Sequence, residues 1–120
     1  PVGYGADGKY GNEWDMTIWI SDRGIESGRL KDILIHEAAH AYSYLVLRGC
    51  VVPDGSSFRE LAHKRYGDEE HLADIFVLYY GGKWTNYDGR ENIPIRDRSW
   101  MSNMIDYCNL YEEALATLKS

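Results

Sequence analysis

Leu30-Lys31-Asp32-Ile33-Leu34-Ile35-His36-Glu37-Ala38-Ala39-His40-Ala41-Tyr42-Ser43-Tyr44-Leu45-Val46-Leu47-Arg48 is the stretch that decides how this chain of 120 residues folds. Its spacing is helical. Leu34, Ala38, Ala41 and Leu45 form one stripe, and Ile33, Glu37, His40, Tyr44 and Leu47 form the adjoining one. The pattern predicts a helix over 27–48, with Asp32 in an early turn where its charge suits the helix dipole. Gly49 stands where a left-handed C-cap is wanted, and Pro53-Asp54-Gly55 supplies a turn beyond it. Apolar side chains flank the polar ones closely, so this helix is expected to be central and largely buried. Two histidines and a glutamate are costly to bury there without a shared purpose.

On the N-terminal side, the glycines and tyrosines of 1–11 suggest turns or a loosely held arm. Residues 14–20, WDMTIWI, alternate as a strand does, with Trp14, Met16, Ile18 and Ile20 on one face. Ser21, Asp22, Arg23 and Gly24 then read as a turn. On the C-terminal side, Ser57 with Glu60 three residues later is a capping-box pattern that opens a short helix, and Gly67 ends it. Asp68 caps a helix over 69–80 that turns Leu72, Ile75, Phe76 and Tyr79 to the core and sets Glu70, Asp74 and Val77 on another side. Gly81-Gly82 stops it. Residues 82–98 show no periodicity, and a loop of that length is uncommon unless functional, so it is expected to border a substrate cleft. Met101, Met104, Ile105, Cys108, Tyr111, Leu115 and Leu118 recur at helical spacing, predicting a packed C-terminal helix with Ser99 as its cap.

A chain of this length with 44% hydrophobic residues can close one core, so 1–120 is read as a single domain. The formal charge of -6, with no run of lysines or arginines, argues against a nucleic-acid partner. No segment approaches the roughly 20 consecutive apolar residues that a membrane-spanning helix needs. The chain opens at Pro1, which is read as a processed mature form or a domain of something longer, with any targeting signal out of view. Its 10 Tyr, 4 Trp and glycine-rich start favour export over the cytoplasm. Cys50 and Cys108 are compatible with one disulfide or with two buried thiols.

Four residues apart on a helix, His36 and His40 project from the same face, with about 5–6 Å between their β-carbons, so both imidazoles can reach one ion. Zinc suits them. Glu37, three residues before His40, leans over the same point and is placed to take a proton from a water that the ion has acidified. That is the arrangement of a metal-activated hydrolase.

The His36-Glu37-Ala38-Ala39-His40 segment resembles the HExxH zinc peptidases, or zincins. The metzincin branch would carry a glycine at Ser43 and a histidine at Val46, and has neither here. The aspzincin branch would show a downstream Gly-Thr-x-x-Asp segment, which the sequence lacks. Glu70-His71-Leu72-Ala73-Asp74-Ile75-Phe76 is similar to the second motif of gluzincins, the thermolysin-like branch. The resemblance covers 14–80. It implies Glu70 as third ligand, with Glu69, His71 and His63 as rivals, and Asp74 as the carboxylate that takes the free ring N–H of His36. It further implies an α+β, zincin-like fold: a small sheet, including the 14–20 strand as cleft rim, on the central HExxH helix, with the glutamate helix and C-terminal helix below. The implied activity is zinc-dependent hydrolysis of a peptide or protein substrate with Glu37 as general base. A catalytically silent zinc-binding module and a regulatory protease for one protein partner are the alternatives. Larger gluzincins use a later histidine on the oxyanion, yet none follows His71 here; Tyr66, Tyr87, Arg90 and His63 are the candidate substitutes.

Overall fold

The computed structural model describes residues 8–10, 18–83, 85, 87 and 92–119. Two short strands, β1 (Gly8–Tyr10) and β2 (Ile18–Ile20), precede five α-helices: α1 (Asp22–Glu26), α2 (Leu30–Leu45), α3 (Phe58–Tyr66), α4 (Glu69–Tyr79) and α5 (Ile95–Lys119). A 3₁₀ turn at Leu47–Gly49 follows α2. The strands pair antiparallel, Gly8 opposite Ile20 and Tyr10 opposite Ile18, and the ribbon lies against α2.

This corrects the α+β expectation: the fold is mostly helical. Three residues per strand make a ribbon rather than a sheet layer, and helices fill the rest of the core among the described residues. The alternation over 14–20 supports one strand only, of which 18–20 is seen; 14–17, with Trp14 and Met16, lie outside the described residues, as do 1–7 and 11 of the segment 1–11 read as turns or a loose arm, whose residues 8–10 instead pair as β1. Most later apolar residues recur at helical period, and Val51 adds only an isolated antiparallel bridge to Ser57, so among the described residues the ribbon is not widened.

The segment 21–24, read as a turn, instead opens helix α1, because the Ser21 hydroxyl accepts the Gly24 N–H at 3.1 Å as an N-cap. Gly28, in the left-handed region at φ 79°, then separates α1 from α2, which begins at Leu30 rather than near Ser27. At its far end α2 tightens into the 3₁₀ turn, so Gly49 closes that turn instead of serving as a left-handed cap. The later caps stand where the sequence puts them. Ser57 accepts the Glu60 N–H, and Asp68 accepts the His71 N–H. Helix α5 starts at Ile95, a turn before Ser99, with the N–H groups of Asp97 and Arg98 donating to the Pro94 carbonyl.

Helix α4 is the most deeply buried element: every side chain from Leu72 to Leu78 is enclosed. By contrast α2, expected to be central and largely buried, hides Ile33, His36, Glu37, Ala39 and Ser43 but leaves Leu34 and Leu45 each 43% exposed. Of the 34/38/41/45 stripe, Ala38 too is exposed and Ala41 is half-buried. The core joins Leu47, Ala62, Leu72, Ile75 and Phe76 to Met101 and Met104 of α5, and each such large side chain is worth about 1.5–3 kcal/mol when fully buried.

Two devices fasten α5 to this core. Cys50 and Cys108 are joined in a disulfide with Cα atoms 5.6 Å apart, tying the end of the 3₁₀ turn to mid-α5. Nearer its start, buried Asp97 accepts from Arg65 at 2.8 Å and from the Tyr66 hydroxyl at 3.1 Å. Asp97→Ala leaves the Tyr66 hydroxyl of a buried ring without this acceptor and is expected to cost about 1–3 kcal/mol. Urea unfolding checks this; an unchanged midpoint would show that the cluster adds nothing. No described helix is long and apolar enough to cross a membrane.

Candidate metal centre

Helices α2 and α4 run antiparallel, and their shared face is polar at one place. His36 meets Asp74 while His40, one turn on, meets Glu69 near the start of α4. The His36 Nδ1 lies 2.9 Å from Asp74 Oδ1 and the His40 Nδ1 lies 2.8 Å from Glu69 Oε2. A carboxylate accepts only, so each Nδ1 carries the donated proton. In the neutral imidazoles both Nε2 atoms then hold lone pairs. These two nitrogens face each other at 3.2 Å. Glu70 Oε1 lies 3.3 Å from His36 Nε2 and directly against His40 Nε2. Glu37, 4% exposed, brings Oε2 to 3.9 Å from His36 Nε2. Single ligand atoms of His36, Glu37 and His40 lie within 4.8 Å of one another.

Three acceptors turned toward one point need something positive between them. A tetrahedral zinc ion with bonds of about 2.0–2.1 Å separates its ligand atoms by about 3.3–3.4 Å; the separations of His36 Nε2 from His40 Nε2 and from Glu70 Oε1, 3.2 and 3.3 Å, are close to this, while Glu70 Oε1 stands nearer than that to His40 Nε2. Charge points the same way: the carboxylates of Glu37, Glu69, Glu70 and Asp74 gather here against the guanidinium of Arg59. The donor set of two nitrogens and one oxygen suits zinc.

Without a metal, protons meet the same demand. Burial opposes a charge on His40, yet hydrogen bonds to Glu69 and Glu70 and their negative charges outweigh it and lift its pKa to about 9. His36 is raised too, burial being outweighed by Asp74 and Glu70. Burial would push the Glu70 carboxyl up, but the bonds to His36 and His40 prevail and hold it far below the usual carboxylate range. A metal must therefore displace a proton from His40. At pH 7.5 zinc uptake is expected to release about one proton from this residue, with the release vanishing as pH rises through about 9. Calorimetry in buffers of different ionisation heat measures it; equal heats in all of them would refute the assignment.

The structure thus brings His36, Glu37, His40, Glu70 and Asp74 together. The rivals for third ligand lie elsewhere around the site: Glu69 is on the Nδ1 side of His40, His63 is 2.7 Å from Glu69, and His71 is turned to Asp68 at 2.8 Å. Among the candidate oxyanion donors, Tyr66 donates to Asp97, away from the histidines, and Arg90 lies outside the described residues. Tyr87 stands beside the site, its ring stacked on His36 at 5.9 Å and its backbone N–H donating to Asp74 Oδ2. Of the long segment after α4, expected to border a substrate cleft, Tyr87 is thus the residue seen against this cluster among those described.

Sequence reasoning missed the surroundings of Glu69, which accepts from Ser43 at 2.7 Å and from Arg59 at 3.4 Å. A signal was available: Glu69 precedes Glu70 by one residue, about 100° round the helix, enough to reach the other edge of the histidine pair. Comparison of the chain with protein-family models, with curated proteins and with solved structures finds no match. The case for function therefore stands on the chemistry of these side chains.

Proposed function

We propose that this protein is a zinc-dependent peptidase in which Nε2 of His36, Nε2 of His40 and the Glu70 carboxylate hold the ion and Glu37 is the general base. The observation that carries this is the convergence of those three acceptors on one space, with both outer nitrogens secured by carboxylates. Zinc bound there would supply Lewis acidity toward a peptide carbonyl and toward water. Asp74 fixes the His36 ring by accepting from Nδ1, so its other nitrogen keeps a lone pair for the ion. Glu37 Oε2, buried and aimed at the same space, takes a proton from the attacking water and delivers it to the leaving amine nitrogen. The Tyr87 ring covers one face of His36 and limits access of solvent from that side.

A peptide is the favoured substrate because the His36-Glu37-x-x-His40 and Glu70-x-x-x-Asp74 spacings match those of gluzincins. The Cys50–Cys108 disulfide supports a place outside the reducing cytoplasm. The direct test incubates zinc-loaded and chelator-stripped protein with a mixed peptide library and reads the products by mass spectrometry. Cleavage that zinc restores supports the proposal; an untouched library with zinc bound turns the site into a silent binding module. The ligand set is tested separately. Glu70→Ala is expected to weaken zinc binding at least 100-fold through loss of a direct ligand; undiminished binding would remove Glu70 from the set.

A further inference from the structure

We propose that Glu69 is the positioning residue of His40 and not a ligand, and that it couples the site to α3. The inference rests on the metal reading given above. The two nitrogens of an imidazole lie on different edges of the ring, so a carboxylate bonded to Nδ1 stands away from an ion on Nε2. Glu69 Oε2 holds Nδ1 of His40 at 2.8 Å. Its other oxygen is fixed from two helices at once. Ser43, on α2 and fully buried, donates its hydroxyl at 2.7 Å; His63, on α3, brings Nε2 to 2.7 Å; Arg59, one turn earlier on α3, brings Nε to 3.4 Å while also donating to Ser43 Oγ at 3.1 Å.

The two histidines are thus secured differently. His36 relies on Asp74, a residue of the same helix that carries Glu70. His40 relies on a carboxylate whose own rotamer is set by α3, so the angle at which its Nε2 meets an ion depends on a helix that provides no ligand. A swing of Glu69 toward the ion would break every one of these bonds together.

The test measures zinc affinity of the full chain, by competition with a chromophoric chelator, for wild type, Glu69→Gln and Glu69→Ala. An amide oxygen still accepts from Nδ1–H, although the NH2 cannot accept from Ser43 and Arg59 as Oε1 does, so Glu69→Gln is expected to weaken binding several-fold less than Glu69→Ala, which weakens it about 10–100-fold. Equal weakening by both overturns positioning in favour of ligation, and no weakening by either overturns it as well. Nitrogen-15 spectra provide a second readout that folding stability does not mimic. The His40 Nδ1–H resonance should persist, protected from exchange, in metal-free wild type and in Glu69→Gln, and vanish in Glu69→Ala. Its absence from metal-free wild type overturns the proposal whether or not zinc binds. Failure of wild type to take up zinc, with the resonance present, sinks the peptidase reading instead and leaves the Glu69–His40 bond standing.

Discussion

Glu37→Gln is expected to lower peptide cleavage by about 10²–10⁴-fold while zinc uptake stays near that of wild type. The substitution keeps the size and shape of a side chain that is almost wholly enclosed, so the packing between α2 and its neighbours is little disturbed. What it removes is the ability to accept a proton and pass it on, because an amide is not basic. Zinc retention separates this outcome from simple damage to the site. The assay compares turnover of a cleaved library peptide with metal content measured on the same preparation. Loss of cleavage together with loss of zinc would make Glu37 a ligand instead of a base, and undiminished cleavage would remove it from the chemistry.

Breaking the Cys50–Cys108 bond carries the other large effect. It closes a sequence separation of 58 residues, for which chain-entropy arguments give about 4 kcal/mol of stabilisation by restricting the unfolded chain. In a domain of this size that corresponds to a fall in Tm of roughly 15 °C. The double variant Cys50→Ala/Cys108→Ala, or wild type under reductant, should show it by calorimetry. The bond fastens α5 to the turn after α2 and includes none of the side chains hydrogen-bonded around the histidines, so zinc affinity of the folded double variant is expected to be unchanged. A Tm within a few degrees of wild type would mean that packing of Met101, Met104 and Trp100 already holds α5 in place.

Much of the site was legible because helical geometry is local. The spacing of His36, Glu37 and His40 sets their common face, and the spacing of Glu70 and Asp74 sets theirs; only the approach of the two helices had to be supplied, and the gluzincin resemblance supplied it. Caps at Ser57 and Asp68 were equally readable, since each rests on a side chain bonding to an N–H three residues away. The sheet was overestimated because one alternating segment was extended by analogy to a layer for which the described residues supply no strands beyond β1 and β2. The disulfide was beyond reach, as two cysteines 58 residues apart carry no information about distance until the fold brings them together. Exposure of Leu34 and Leu45 was also hidden, because a helix surrounded by apolar residues shows which faces are greasy and not which of them finds a neighbour.

The antiparallel meeting of α2 and α4 places unequal demands on different parts of the gene. Between 46 and 68 the chain leaves α2 and returns to α4 through turns and α3, and a change of length in the exposed turn at 53–55 can be absorbed locally. Within 70–74 there is no such slack. One inserted residue there would rotate everything beyond it by about 100°, carrying Asp74 off His36 while Glu70 stayed where it was. Substitutions can tune this centre by degrees, whereas a single-codon insertion inside either helix would dismantle it in one step.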